Sequence, residues 1–135
     1  MTSRVPSRIG DAAGKLPMHE QVLAGRSVLL VENEVLIALD IRTSFEDAGA
    51  SVIEAMTLKR ALEAIDTTAL DAAVLDYKLD DGDSTEICLH LEERNIPYVM
   101  HSGYPTIEGA CDDGVNLQKP ASPKEVVAIV HRLLN

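Results

Sequence analysis

Aromatic residues are almost absent from this chain: it has no tryptophan, a single phenylalanine (Phe45) and three tyrosines. A core so poor in rings must be aliphatic, built from Val, Leu, Ile and Ala, and a nucleic-acid reader that stacks bases on aromatic platforms is disfavoured. Cations are scarce as well. Twelve Lys and Arg stand against 22 Asp and Glu, a net charge of −10 that repels nucleic-acid phosphate and anionic lipid. The longest apolar runs, at Ser27–Val31 and Val126–Val130, are far too short to cross a bilayer. Only two cysteines occur, Cys88 and Cys111, with no C-x-x-C pattern and no histidine at metal-ligand spacing. Neither a disulfide framework nor a zinc site is expected from them, and they read as small thiols in a reducing compartment. The N-terminus has Pro6, Gly10 and Gly14 where an export signal has its apolar segment, so a cytoplasmic location is expected. No glycine-rich loop precedes a helix, and nucleotide or flavin binding lacks its usual support.

What remains is an ordinary soluble composition, 46% apolar and 25% charged over 135 residues, enough for one domain and one core. Residues 1–25 lack periodicity and read as a flexible tail, with residues 26–135 as the domain. Through residue 26 four cations (Arg4, Arg8, Lys15, Arg26) face Asp11 and Glu20, so a weakly basic tail precedes an acidic body.

Beyond the tail, aliphatic runs alternate with helical stripes. Strands are expected at 27–32, 50–54, 72–76, 97–101 and 114–117, and helices at 35–48, 58–65, 85–93, 106–111 and 124–134. Ser122-Pro123 supplies an N-cap followed by proline at the first helical position. The strands are solid apolar runs, as a parallel sheet covered on both faces requires. With right-handed crossovers, the fold class is α/β: a doubly wound, five-stranded parallel sheet in the order 2-1-3-4-5.

In such a sheet, functional groups collect at the carboxyl ends of the strands, beside the point where strand order reverses. Glu32, Asn33 and Glu34 end the first strand, Asp76 the third, His101 and Ser102 the fourth, and Lys119 the fifth. Two carboxylates and an amide oxygen suit a hard cation, a hydroxyl and an ammonium suit a transferred oxyanion, and one carboxylate suits a nucleophile. The group expected there is a phosphoryl without its nucleotide.

Four motifs in this order resemble the receiver domain of two-component response regulators, over about residues 27–134. Val28–Glu34 resembles that family's acidic cluster, Val74–Leu79 its phosphoacceptor strand, Met100–Tyr104 its hydroxyl switch and Gln118-Lys119-Pro120 its Lys-Pro signature. The resemblance implies a flavodoxin-like (βα)5 fold. It implies that Asp76 accepts a phosphoryl group from a sensor histidine kinase or histidine phosphotransfer protein. Mg²⁺ would be held by Glu32, Asn33, Asp76 and the backbone carbonyl of Lys78, while Lys119 and Ser102 contact the phosphoryl oxygens. Ser102 and Tyr104 would form the switch toward a downstream protein effector. Such a chain is a self-phosphorylating acceptor and not a conventional turnover enzyme, and as it stands it is expected to be a stand-alone regulator.

Several residues depart from the family pattern. Asn33 stands where the family usually has a second acid, which implies weakened metal binding and leaves open an atypical receiver that signals without phosphorylation. Asn116 replaces the usual aromatic switch residue. The Ser102-Gly103-Tyr104 run resembles a mostly stand-alone subgroup, in which Tyr104 would take the aromatic role. Asp80 replaces a frequent proline, and with Asp81 and Asp83 it reads as solvated charge in preference to a second metal site. His101 reads as a strand residue packed under the fourth helix.

Overall fold

The computed structural model describes residues 21–102, 114–118 and 121–135. The first strand, β1 (Ser27–Val31), is buried from Val28 onward, and its side chains alternate between two cores. Val28 and Leu30 face one side of the sheet and Leu29 and Val31 the other, so both sets must be apolar and the run reads as continuous. Helix α1 (Val35–Asp47) follows, burying Ala38, Ile41 and Phe45 against the first of these cores. It ends at Gly49, whose φ of +96° is a backbone state that glycine adopts without strain.

Strand β2 (Ser51–Ala55) is half-exposed at the sheet edge, and helix α2 (Leu58–Thr67) is capped by Thr57, whose hydroxyl accepts the Arg60 N–H. Strand β3 (Ala72–Leu75) is wholly buried. Two two-residue strands, β4 (Lys78–Leu79) and β5 (Gly82–Asp83), then form a small antiparallel hairpin that is not among the expected elements. Helix α3 (Thr85–Glu93), strand β6 (Tyr98–Ser102), strand β7 (Val115–Gln118) and helix α4 (Pro123–Leu134) complete the described elements. Helix α4 starts with a reciprocal cap, Ser122 Oγ accepting the Glu125 N–H and Glu125 Oε1 accepting the Ser122 N–H.

All neighbouring strands of the main sheet run parallel, in the order β2-β1-β3-β6-β7. With the hairpin set aside, this is the expected 2-1-3-4-5 order. Helices α1 and α4 cover one face through Ile41, Phe45, Val126 and Val130, and α2 and α3 cover the other through Ala61, Ile65, Ile87 and Leu91. Strand and helix ends differ from the sequence expectation by a residue or two, within the ordinary fraying of such boundaries. The expected helix at 106–111 lies outside the described residues.

Two details revise the sequence reading. The turn before β1 belongs to the packed body although residues 1–25 read as tail: Leu23 is fully buried and its N–H donates to the Ala48 carbonyl at 2.9 Å. Cys88, buried on α3, is disulfide-bonded and not the free thiol expected. The chain's other cysteine, Cys111, lies outside the described residues. Sequence spacing could not anticipate this, since pairing depends on the distance between Cα atoms in the folded chain.

Candidate functional site at the carboxyl edge

The strand order reverses between β1 and β3, whose register pairs Val31 with Leu75. The next residues, Glu32 and Asp76, therefore leave the sheet side by side, and the Asp76 N–H donates to the Val31 carbonyl at 2.9 Å. On the other side Leu75 pairs with Met100, which brings His101 and Ser102 of β6 to the same edge. Ser102 in turn pairs with Gln118, the residue before Lys119. The parallel topology thus gathers chain ends that are far apart in sequence.

Each group at this edge is held differently. Glu32 is 3% exposed, and its Oε2 accepts the Glu34 N–H at 3.0 Å, which folds the carboxylate back over the end of β1. Asp76 is half-buried, and its carbonyl accepts from the hydroxyl of the fully buried Ser84. The Ser84 N–H donates to the Tyr77 carbonyl at 2.9 Å, so one serine ties both backbone positions that follow β3. Asn33 is half-buried and donates its side-chain amide to Asp80 Oδ1 at 3.3 Å. Lys78 opens the hairpin in register with Asp83. His101 is buried, as expected, and Asn116 is exposed on β7. Lys119 and Tyr104 lie outside the described residues, and Ser102 is placed by its backbone alone.

The aspartates of the acidic loop are exposed and also hydrogen-bonded. Asp81 accepts the N–H groups of Leu58 at 2.8 Å and Lys59 at 3.2 Å, capping α2 from across the loop. The bond from Leu58 holds its carboxyl below the ordinary value. Asp83 accepts the Thr85 N–H at 3.0 Å at the start of α3, and that bond lowers its pKa too. These aspartates stay at the surface, as the reading of solvated charge expects, and they also supply acceptors to helix N-termini, which leave donors unsatisfied. Ser84 was not singled out from the sequence, and Asp81 was read there only as charge, not as a cap. The only signal was an Asp-Ser-Thr-Glu run opening α3, which resembles a capping sequence.

Six carboxylates (Glu32, Glu34, Asp76, Asp80, Asp81 and Asp83) belong to the loops at this edge, against the single ammonium of Lys78 within the same two segments. Such a surface draws cations. The donor types are carboxylate, amide and carbonyl oxygens, which suit a small hard ion such as Mg²⁺. With its amide nitrogen given to Asp80, Asn33 keeps its oxygen as a donor. Among the described residues, no cluster of three His, Cys, Asp or Glu side chains is close enough to bind a metal unaided. The Asn33 oxygen and the backbone carbonyls are the other oxygen donors at this edge.

Residues 28–131 match the response regulator receiver domain family. The regulatory protein VanR of Enterococcus faecium is 31% identical over 111 residues, covering 76% of this chain and 47% of VanR. The chain spans about half the length of the curated relatives it matches. A response regulator receiver protein from Sinorhizobium medicae WSM419 superposes with a TM-score of 0.74 at 27% identity, covering 82% of this chain and 94% of that one. The receiver domain of sensor histidine kinase PA1611 from Pseudomonas aeruginosa PAO1, solved with a magnesium ion coordinated in its active-site cleft, superposes at 0.71 with 21% identity. It covers 82% of this chain and 98% of its own. Among the described residues, no helix is long and apolar enough to cross a membrane. With the family match spanning the sheet from β1 into α4, the chain belongs to the receiver domains of two-component response regulators.

Proposed function

We propose that Asp76 is the phosphoacceptor of this receiver, taking a phosphoryl group from a phosphohistidine of a sensor kinase or phosphotransfer protein. The observation that carries this reading is the half-buried Asp76 at the reversal point of the sheet, beside the buried carboxylate of Glu32. A carboxylate oxygen of Asp76 attacks phosphorus as the phosphorus–nitrogen bond breaks. The electron pair of that bond returns to the imidazole, which takes up a proton. Mg²⁺, when bound, offsets negative charge on the transferring group. Glu32, Asn33, Asp76 and the Lys78 carbonyl are the residues that would hold it. Lys119 pairs with the phosphoryl oxygens and Ser102 donates a hydrogen bond to one of them. The product carries about −1.5 to −2 charge, which draws the Ser102 segment inward and changes the surface offered to a downstream protein, with Tyr104 in the switch. The output is a protein contact.

The Asn33–Asp80 hydrogen bond supports a second reading. It takes the place of a metal-facing acid with a neutral amide engaged elsewhere, which suits an interaction module that binds Mg²⁺ poorly and signals without phosphorylation. Intact mass after incubation with acetyl phosphate separates the two. The first reading expects a phosphoryl adduct that requires Mg²⁺ and is lost in Asp76→Asn. An unmodified wild type, together with an Asn33→Asp variant that becomes labelled, establishes the second.

A further inference from the structure

A serine just before a helix ordinarily serves that helix, its side-chain oxygen accepting an N–H of the first turn. The side chains of Thr57 and Ser122 do so for α2 and α4. Ser84 occupies the same position on α3 and makes no such bond. Asp83 serves the helix end in its place by accepting the Thr85 N–H at 3.0 Å, and the Ser84 hydroxyl turns away to donate to the Asp76 carbonyl. A local capping bond has been exchanged for one that reaches the end of β3, eight residues back in the chain.

The rest of Ser84 makes that contact rigid. Its carbonyl accepts the Cys88 N–H at 2.9 Å in the first turn of α3, a helix seated in the core through Ile87, Cys88 and Leu91. Its N–H donates to the Tyr77 carbonyl at 2.9 Å. Ser84 is therefore fixed to a packed helix on one side and to two consecutive carbonyls on the other. At Asp76 the Val31 carbonyl takes the N–H at 2.9 Å and the Ser84 hydroxyl takes the carbonyl, so both polar groups of the main chain are held. Only the side-chain torsions remain to aim the carboxylate, and the peptide that leads into Lys78 is pinned through the Tyr77 carbonyl. A reacting group gains from such backing, because misplacement by about 1 Å costs on the order of a hundredfold in rate.

We infer that Ser84 is a positioning residue for phosphoryl transfer, its hydroxyl setting the main chain from which the Asp76 carboxylate reaches phosphorus. The inference rests on Asp76 as the acceptor. Ser84 acts through the Asp76 carbonyl and not by touching the phosphoryl group.

The test compares wild type, Ser84→Ala, Ser84→Thr and Ile87→Val by the initial rate of labelling with acetyl phosphate at saturating Mg²⁺. The Tyr77 amide signal of each ¹⁵N-labelled protein is recorded alongside. That N–H belongs to the same peptide as the Asp76 carbonyl, so its chemical shift reports the Ser84 hydrogen bond. Ser84→Ala is expected to move the Tyr77 signal and to lower the rate by about ten- to a hundredfold, with no recovery at higher Mg²⁺. Ser84→Thr keeps the hydroxyl, and both the signal and the rate should stay close to those of wild type. Ile87→Val trims the same helix within the core without touching the hydroxyl, and it should keep the wild-type rate. A Ser84→Ala protein that moves the Tyr77 signal yet labels at the wild-type rate overturns the inference and leaves Asp76 as the acceptor. So does an equal slowing in Ile87→Val, which would show that the stability of α3 alone governs the rate. A wild type that takes no label at Asp76 overturns the inference through the reading on which it rests.

Discussion

Asn33 and Asp80 meet across the mouth of the candidate site, amide nitrogen to carboxylate oxygen at 3.3 Å. The contact joins the end of β1 to the β4–β5 hairpin, 47 residues apart in the chain. Asn33→Asp replaces this donor with a second carboxylate. Repulsion then opposes the metal-free fold, and an added anionic oxygen strengthens cation binding. The expected outcome is several-fold tighter Mg²⁺ binding by calorimetric titration. Without Mg²⁺ the melting temperature should fall by about 2–4 °C, and Mg²⁺ should restore it. Equal Mg²⁺ affinity in the two proteins would refute a metal role for position 33.

The Asp81 cap on α2 gives a pH dependence of known sign. Its carboxyl is held below the ordinary value by the bond from the Leu58 N–H, so folding is favoured by its ionised form. That stabilisation is complete above the unfolded value near pH 4 and is lost as pH falls through the lower folded value. Urea midpoints of wild type and Asp81→Ala should therefore differ by a constant amount above about pH 5 and converge below about pH 4. A gap that stays constant into acid would show that the charge of Asp81 contributes nothing.

Ser84 is fully buried beneath Asp76 and donates to its carbonyl. Ser84→Ala removes that donor with little change in volume, and the expected loss is about 1–3 kcal/mol in equilibrium unfolding. Because the lost bond is to the backbone at Asp76, the rate of Mg²⁺-dependent labelling by acetyl phosphate should fall as well. A variant of unchanged stability would count against Ser84 as the anchor of this loop.

Phe45 and Leu36 share a helix but not an environment, being 1 and 76% exposed. Phe45→Ala empties the centre of the core between α1, α4 and the sheet, at an expected cost of about 3–5 kcal/mol. Leu36→Ala should change stability by no more than about 0.5 kcal/mol. Urea denaturation of the two variants measures how completely burial decides these values.

The fold was legible because its signals are local. Val28–Val31 is continuous and apolar since each face of a parallel sheet needs alternate residues of the strand, and Ser122-Pro123 marks the start of α4 by simple capping chemistry. The rule that chemistry gathers at carboxyl ends then singled out Glu32, Asn33 and Asp76 without coordinates. The partners of the loop aspartates were not legible. Asp81 binds an N-terminus 22 and 23 residues earlier, and nothing in an Asp-Asp-Gly-Asp run tells a cap from a solvated charge.

By itself, then, the sequence determined the class of fold, the strand order and the residues that end each strand, because periodicity, capping and the handedness of crossovers act over short stretches of chain. Tertiary structure alone decided which of those residues touch. It set Asn33 against Asp80, Ser84 under Asp76 and Leu23 into the core beside Ala48, and it left Leu36 on α1 exposed. Such pairings depend on the register between strands and the seating of helices on the sheet, and no local pattern encodes those distances.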